Sequence, residues 1–333
     1  MWPSISIVVV NRNAAESLGA LLKSVRMQKY PIGQVEVLVI DGGSTDQSFT
    51  VACEYNAKWI SGGFSDNQEA RRAIGIVKSN GQIIVSLDAD NILPNDNWLM
   101  KLISPFIENS RVGYSFTKWY GRSTQISATE NYFALIGGND LVSWALGKND
   151  RVEIGSMKLP FGAHLVGKQP DYEIIDFPSD NLPTLGCNGF CVRRNLILPI
   201  AERSPALFLH IDSVVEMLDS HPGTCGAIVH ECVIHGSRRS IWGSLRARTT
   251  YLKNFAHNTT RYRRYRVLDP LNHRDLLNLI IFIMTSTTVF IPVLYATSKY
   301  IVTKDLRWYL HPFICLGFVV SYGIAVVRNV FRI

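Results

Sequence analysis

The sequence predicts an α/β domain on a mostly parallel sheet, followed by an interfacial amphipathic segment and a two-helix transmembrane hairpin. Three observations predict it. Short apolar runs alternate with amphipathic stretches over the first hundred or so residues, as successive right-handed βαβ units require. Several of those runs stop at acidic residues, which is how strands end at the ligand-binding edge of an open parallel sheet. Residues 276–298 and 308–327 carry no Asp, Glu, Lys or Arg and are each long enough to cross a bilayer.

The elements follow in order. Ser4–Val10 reads as a buried strand, then Asn11-Arg12-Asn13 as a loop. Residues 14–27 have helical spacing, with Leu18, Leu21, Leu22 and Val25 on one side. Glu36–Ile40 is a second strand, ending in Asp41-Gly42-Gly43-Ser44-Thr45-Asp46; Ser44 or Asp46 would cap the helix that runs through Cys53. Trp59-Ile60 is a short third strand and Gln68–Ser79 a helix. Ile83–Leu87 is a buried strand that stops at Asp88-Ala89-Asp90, before a helix over 98–106. Beyond Tyr114 the alternation weakens, and 137–185, rich in Gly, Pro, Asn and Asp, reads as a loop-dominated segment that shapes a ligand site. Gly186–Arg194 reads as a turn feeding a strand, Ser213–Leu218 as helix, and Ala227–Ile234 as the last strand before His235.

The charge is unevenly spread. Residues 1–235 carry 19 Lys/Arg against 24 Asp/Glu, residues 236–275 carry 10 against 2, and the rest 5 against 1. A basic belt thus separates an acidic globular part from an apolar tail, the pattern of a cytoplasmic membrane surface. Trp242, Leu245, Thr249, Leu252 and Ala256 recur at helical spacing with Arg246, Arg248 and Lys253 off that stripe, which suits a helix lying in the interface. Basic residues at 261–266, and Arg328 and Arg332 beyond the second span, place both ends of the hairpin in the cytoplasm. The run Tyr262–Arg266 is expected to meet anionic lipid rather than nucleic acid. The expected division is 1–235, a basic segment 236–274, and the hairpin 275–333. Gly317 and Gly323 would let hairpins self-associate. No cleavable leader is read at the start. Six cysteines show neither zinc spacing nor a dense disulfide framework, so reduced thiols are expected.

Asp88 and Asp90 point to one side if the strand stays extended, and two carboxylates that close call for a cation, Mg²⁺ or Mn²⁺. A strand-end turn in which one of them caps the following helix is the competing reading. Asp41 and Asn11 lie at the same predicted edge, which suits a nucleoside diphosphate.

At this point the sequence resembles the inverting family 2 glycosyltransferases of the GT-A fold. The matching pieces are ISIVVVNRN, EVLVIDGGSTD, EARRAIG, GQIIVSLDADN, GCNGFCVRR and the HID triplet, over roughly residues 4–235. The resemblance implies a Rossmann-like GT-A catalytic domain and a nucleotide-sugar donor, UDP- or GDP-linked. It places Asn11 and Asp41 at base and ribose, Arg72 near the nucleotide, and Asp88 at the ribose or metal. It makes Asp90 the main metal ligand and brings His235 to the metal or diphosphate. Gly186, Asn188, Gly189 and Phe190 would line the acceptor site, Arg193 and Arg194 would meet an acceptor phosphate, and Asp212 would be the general base. His210 reads as a packing residue and Asp46 as a helix cap. Two departures stand out: Ala73 replaces the family's usual Asn after the Arg, and the Gln-x-x-Arg-Trp signature of processive synthases is missing, which argues against a polymer channel.

The expectation is therefore a multi-pass protein of the cell membrane, with its catalytic domain on the cytoplasmic face. It would transfer a sugar to a polyprenyl phosphate or a polyprenyl-diphosphate-linked sugar. A non-catalytic membrane adaptor and a nucleotidyltransferase are the alternatives. The first has no need of the carboxylates, and the second lacks a Gly-rich triphosphate loop.

Overall fold

The computed structural model describes residues 1–31, 33–236, 240–246 and 263–331. The chain divides into two compact units, Met1–Gly121 with Gly162–His235, and Arg122–Phe161 with Gly236–Ile333.

The first unit is built on one mixed sheet. Its parallel half holds β1 (Ile5–Asn11), β2 (Val35–Asp41), β3 (Lys58–Ser61) and β4 (Ile83–Asp88) in the order β3-β2-β1-β4. All seven residues of β1 are buried, as expected of a central strand covered on both faces; each apolar side chain there contributes about 1.5–3 kcal/mol by leaving water. The helices α1 (Ala15–Arg26), α2 (Ser48–Glu54) and α3 (Gln68–Lys78) connect these strands, and α4 (Trp98–Glu108) follows β4 and the two-residue β5 (Asn91–Ile92). Asp46 accepts from the backbone N–H of Ala15 (2.9 Å) and of Ser48 (3.1 Å), so one carboxylate serves the starts of both α1 and α2.

The other half adds β6 (Val112–Gly121), β7 (His164–Lys168), β8 (Tyr172–Asp176), β9 (Phe190–Arg193) and β10 (Cys225–His235), continuing the order as β4-β9-β6-β10-β8-β7. Here the pairing is mostly antiparallel, which is why the strand–helix alternation fades in the sequence. Part of the stretch expected to be loop, 164–176, is the β7–β8 hairpin. This unit's remaining helices, α7 (Arg194–Arg203) and α8 (His210–Ser220), run between β9 and β10.

In the second unit, α5 (Ala128–Ile136) and α6 (Leu141–Ala145) pack with the C-terminal helices α9 (His273–Thr288), α10 (Phe290–Thr303) and α11 (His311–Phe331). Residues 122–161, placed in the first domain by the sequence reading, are grouped here. The reason is that α5 is buried around most of its circumference, Thr129 through Ile136, and Tyr132, Leu135 and Ile136 share a core with Phe282, Ala296, Trp308, Ile314 and Phe318.

The first expected span, 276–298, is not one straight helix. It breaks at Val289 (φ 59°) and its two halves are bent by 93°. Pro292 has no N–H to continue the ladder, and the hydroxyls of Thr285, Thr287 and Thr288 turn back onto preceding carbonyls, which weakens and bends helices. Among the described residues, one helical stretch, Leu306–Arg328, is long and apolar enough to cross a membrane, with mean hydropathy 2.0. Of the expected interfacial helix, residues 241–246 are helical and the remainder, with Arg248, Leu252, Lys253 and Ala256, lies outside the described residues.

Candidate metal and nucleotide site

The carboxyl ends of the parallel strands bring the predicted polar residues together. The register sets Asn11 beside Asp41 and Val10 beside Asp88. After Asp88 the chain turns, Asn91 accepting the Asp88 N–H at 2.9 Å, and β5 pairs antiparallel with the end of β10, His235 opposite Asn91. That pairing delivers His235 to Asp90, Nε2 to Oδ1 at 3.3 Å. Asp88, Asp90 and His235 are each partly buried, and their donor atoms lie within 4.8 Å of one another. Around one ion with bonds of about 2.1 Å, donors sit about 3 to 4.2 Å apart, so small side-chain rotations close the set. Two carboxylates and one imidazole fit Mg²⁺ or Mn²⁺. The competing helix-cap reading of Asp88 and Asp90 is not realised, since α4 begins after Asn97 with no side-chain cap.

Arg72, on α3, is completely buried and donates from Nη2 to Asp88 Oδ1 at 2.7 Å; its Nε lies 3.9 Å from Glu69. Burial alone would drive the guanidinium toward neutrality, but Cys187, Asp88 and Glu69 outweigh it and hold the group above its ordinary pKa. Glu69 in turn accepts the backbone N–H of His210 at 2.8 Å, the first residue of α8, whose own N-cap residue supplies no side-chain bond. Asp212 sits in the first turn of that helix, partly exposed. A continuous polar chain thus joins Asp88 to the start of the helix that carries Asp212.

Asp41 is committed to its own loop. It accepts from the N–H groups of Gly43 and Ser44, both at 2.8 Å, from the Ser44 hydroxyl, and from Asn11 Nδ2 at 3.0 Å. Burial would raise its pKa, yet these bonds, led by those from Ser44, prevail and hold it below the usual carboxylate value. Arg71, passed over in the sequence, bonds the carbonyls of Phe64 (2.6 Å) and Ser65 (3.0 Å) and fixes the loop after β3.

The Gly186–Phe190 segment reaches the same edge, for β9 pairs Phe190 with Ser86, and Gly189 N–H bonds Ser86 O at 3.0 Å. Gly189 has φ +69°, and a Cβ there would meet Trp98 at 3.1 Å. Asn188 is buried and Gly186 partly exposed. Three expectations for the acceptor site need correction. Phe190 is core, stacked on Tyr114 at 5.7 Å and edge-on to His210 at 4.7 Å. Arg193 lies opposite Ile83, at the other end of β4 from Asp88; its guanidinium holds the carbonyls of Val112 and Phe106 at 2.8 and 2.9 Å. Arg194 bonds Ser79 at 3.2 Å, also at that far end. Both arginines fasten the sheet to its helices because β9 runs antiparallel to β4.

A parallel-sheet edge with paired carboxylates and a converging histidine could hold a divalent cation at the edge where open α/β sheets take their ligands. Comparison with known proteins narrows the class: residues 6–161 match the family model Glycosyl transferase family 2. The glycosyltransferase AglE of Haloferax volcanii is 33% identical over 107 residues, which is 31% of this chain and 35% of that protein. An uncharacterised glycosyltransferase of Haemophilus influenzae is 29% identical over 149 residues, covering 41% of this chain and 58% of that one. The alignments therefore span between about a third and somewhat over half of these curated relatives. Among solved structures, the mannosyltransferase PcManGT from Pyrobaculum calidifontis, in complex with GDP-Man and Mn²⁺, superposes with a TM-score of 0.51 at 14% identity. It covers 100% of this chain and 88% of that one. These matches make residues 6–161 similar to the family 2 glycosyltransferases, and the fold is shared with PcManGT.

Proposed function

We propose that the protein transfers one sugar, with inversion, from a UDP- or GDP-linked donor to a lipid-linked acceptor at the cytoplasmic face of the cell membrane. The observation that carries this reading is the convergence of Asp88, Asp90 and His235 beside Asn11 and Asp41 on one sheet edge. PcManGT, which shares the fold, binds GDP-Man with Mn²⁺, in line with that donor class. The apolar exposure of α9, α10 and α11 supports a membrane setting.

In this mechanism Asp88, Asp90 and His235 would hold the ion, and Arg72 keeps Asp88 aimed. A bound Mn²⁺ or Mg²⁺ would supply positive charge to the departing diphosphate. The loop organised by Asp41 and Ser44 presents backbone and Asn11 to the nucleoside. Asp212 takes the proton of an acceptor hydroxyl as its oxygen bonds the anomeric carbon and the bond to the diphosphate breaks. A polyprenyl phosphate acceptor arrives already ionised and makes no such demand.

The test is a donor screen of purified protein in detergent with Mn²⁺, offering polyprenyl phosphate and a polyprenyl-diphosphate sugar, read by mass spectrometry of the lipid. One lipid gaining the mass of one sugar is expected, lost on chelation. No gain with any donor, or full transfer under chelation, overturns the reading.

A further inference from the structure

We propose that α9 and α10 form a re-entrant dip into one leaflet, with its tip at Thr288–Phe290, rather than a transmembrane crossing. This rests on the membrane setting proposed above. At 16 and 14 residues the two arms are about 24 and 21 Å long, and each alone falls short of a hydrocarbon core of about 30 Å. Joined at 93°, they carry the tip about 16 Å from the line between their ends, roughly half that thickness. Leu277, Ile280 and Met284 on one arm, and Phe290, Leu294 and Ile301 on the other, are exposed. An unpartnered surface of this kind flanked by Arg274, Lys299, Lys304 and Arg307 suits acyl chains beneath anionic headgroups.

Length alone would also permit a broken crossing, since the ends of the pair are about 32 Å apart. The ion pairs decide against it. At the start of α9, Asp275 pairs with Lys148 at 2.6 Å. Near the end of α10, Lys299 pairs with Glu153, and just beyond it Asp305 pairs with Arg122 at 2.6 Å. The start of α11 joins the same group, Tyr132 hydroxyl to His311 Nδ1 at 2.6 Å. All four partners belong to one segment, 122–161, which leaves the sheet domain after β6 and returns to it before β7. A crossing would require that segment to reach both faces of the bilayer. Its helices of nine and five residues are about 14 and 8 Å long, and it also carries Glu130, Asp140, Asp150 and Arg151, whose burial in lipid is costly. Both ends of the bent pair therefore lie on the side of the sheet domain.

The test uses full-length protein in sealed, oriented membrane vesicles and a membrane-impermeant maleimide. Cys53, exposed on the sheet domain, marks that domain's side in the unaltered chain. In a Cys53→Ser background, Leu271→Cys and Leu306→Cys flank the pair and Phe290→Cys sits at its tip; all three positions are exposed, so packing is undisturbed. The expected result is that 271 and 306 label under the same conditions as Cys53, while 290 labels only after detergent. Labelling of 271 and 306 from opposite sides overturns the dip and establishes a crossing. Labelling of 290 in intact vesicles as readily as 271 overturns insertion of the tip. Recovery of the protein in the supernatant overturns the membrane setting itself, so the two failures are told apart.

Discussion

One oxygen of Asp88 is held by a guanidinium that water does not reach, and the consequences of removing either partner differ. Arg72→Leu leaves Asp88 without its counter-charge. Losing one partner of a buried pair costs about 3–5 kcal/mol, and the 17% side-chain exposure of Asp88 puts the expected loss at the lower end, read as a fall in denaturation midpoint. His235→Ala should leave the fold intact and weaken Mn²⁺ binding at least about 10–100-fold, measured by titration calorimetry; unchanged affinity would remove His235 from the ligand set. Asp212→Asn should keep donor affinity and lower transfer to a hydroxyl acceptor by about 10²–10⁴-fold, with a smaller loss for polyprenyl phosphate. Asp88 and Asp90 were readable in the sequence because they terminate one apolar run. Glu69 was not, since its role depends on a backbone N–H supplied by Leu209-His210, far along the chain.

At the scale of elements, α8 starts without a cap of its own and borrows one from α3. Glu69→Ala should therefore cost about 0.5–2 kcal/mol and reduce kcat more than it weakens donor binding, with Glu69→Gln recovering much of the stability. Equal losses in donor affinity and kcat would mean that the link to Asp212 is merely structural. Gly189→Ala forces a side chain into a left-handed conformation against Trp98, at a cost of about 1–2 kcal/mol or more, visible in urea unfolding. The strands β1 and β4 were legible from their apolar runs because both faces are covered. The strands β6, β7 and β8 were hidden, for in the mixed half of the sheet, among glycines and prolines, they leave a weaker period. The break at Val289 was signalled by Pro292 and the threonine run, yet an uncharged stretch of that length reads first as one span.

For the whole molecule, acid stability depends on carboxylates that the fold has already satisfied. Asp41 and Asp46 both fall below their ordinary value of 3.8, burial opposing and hydrogen bonds prevailing. Each therefore contributes stability above 3.8 that is lost as pH falls through its lower folded value. Melting temperature followed from pH 6 to pH 2.5 should drop steeply at the acid end, and Asp41→Asn should flatten that drop. The grouping of 122–161 with the C-terminal helices could not be read from composition, because it rests on pairs such as Lys148–Asp275 whose members are distant in the chain. His235 closes the last strand of the sheet, while Asp88 and Asp90 lie far upstream. During synthesis His235, the third ligand of the proposed site, is thus among the final parts of that unit to leave the ribosome. An ion held there would tie an early strand to the last one, so the proposed site would be complete only once the whole sheet has formed.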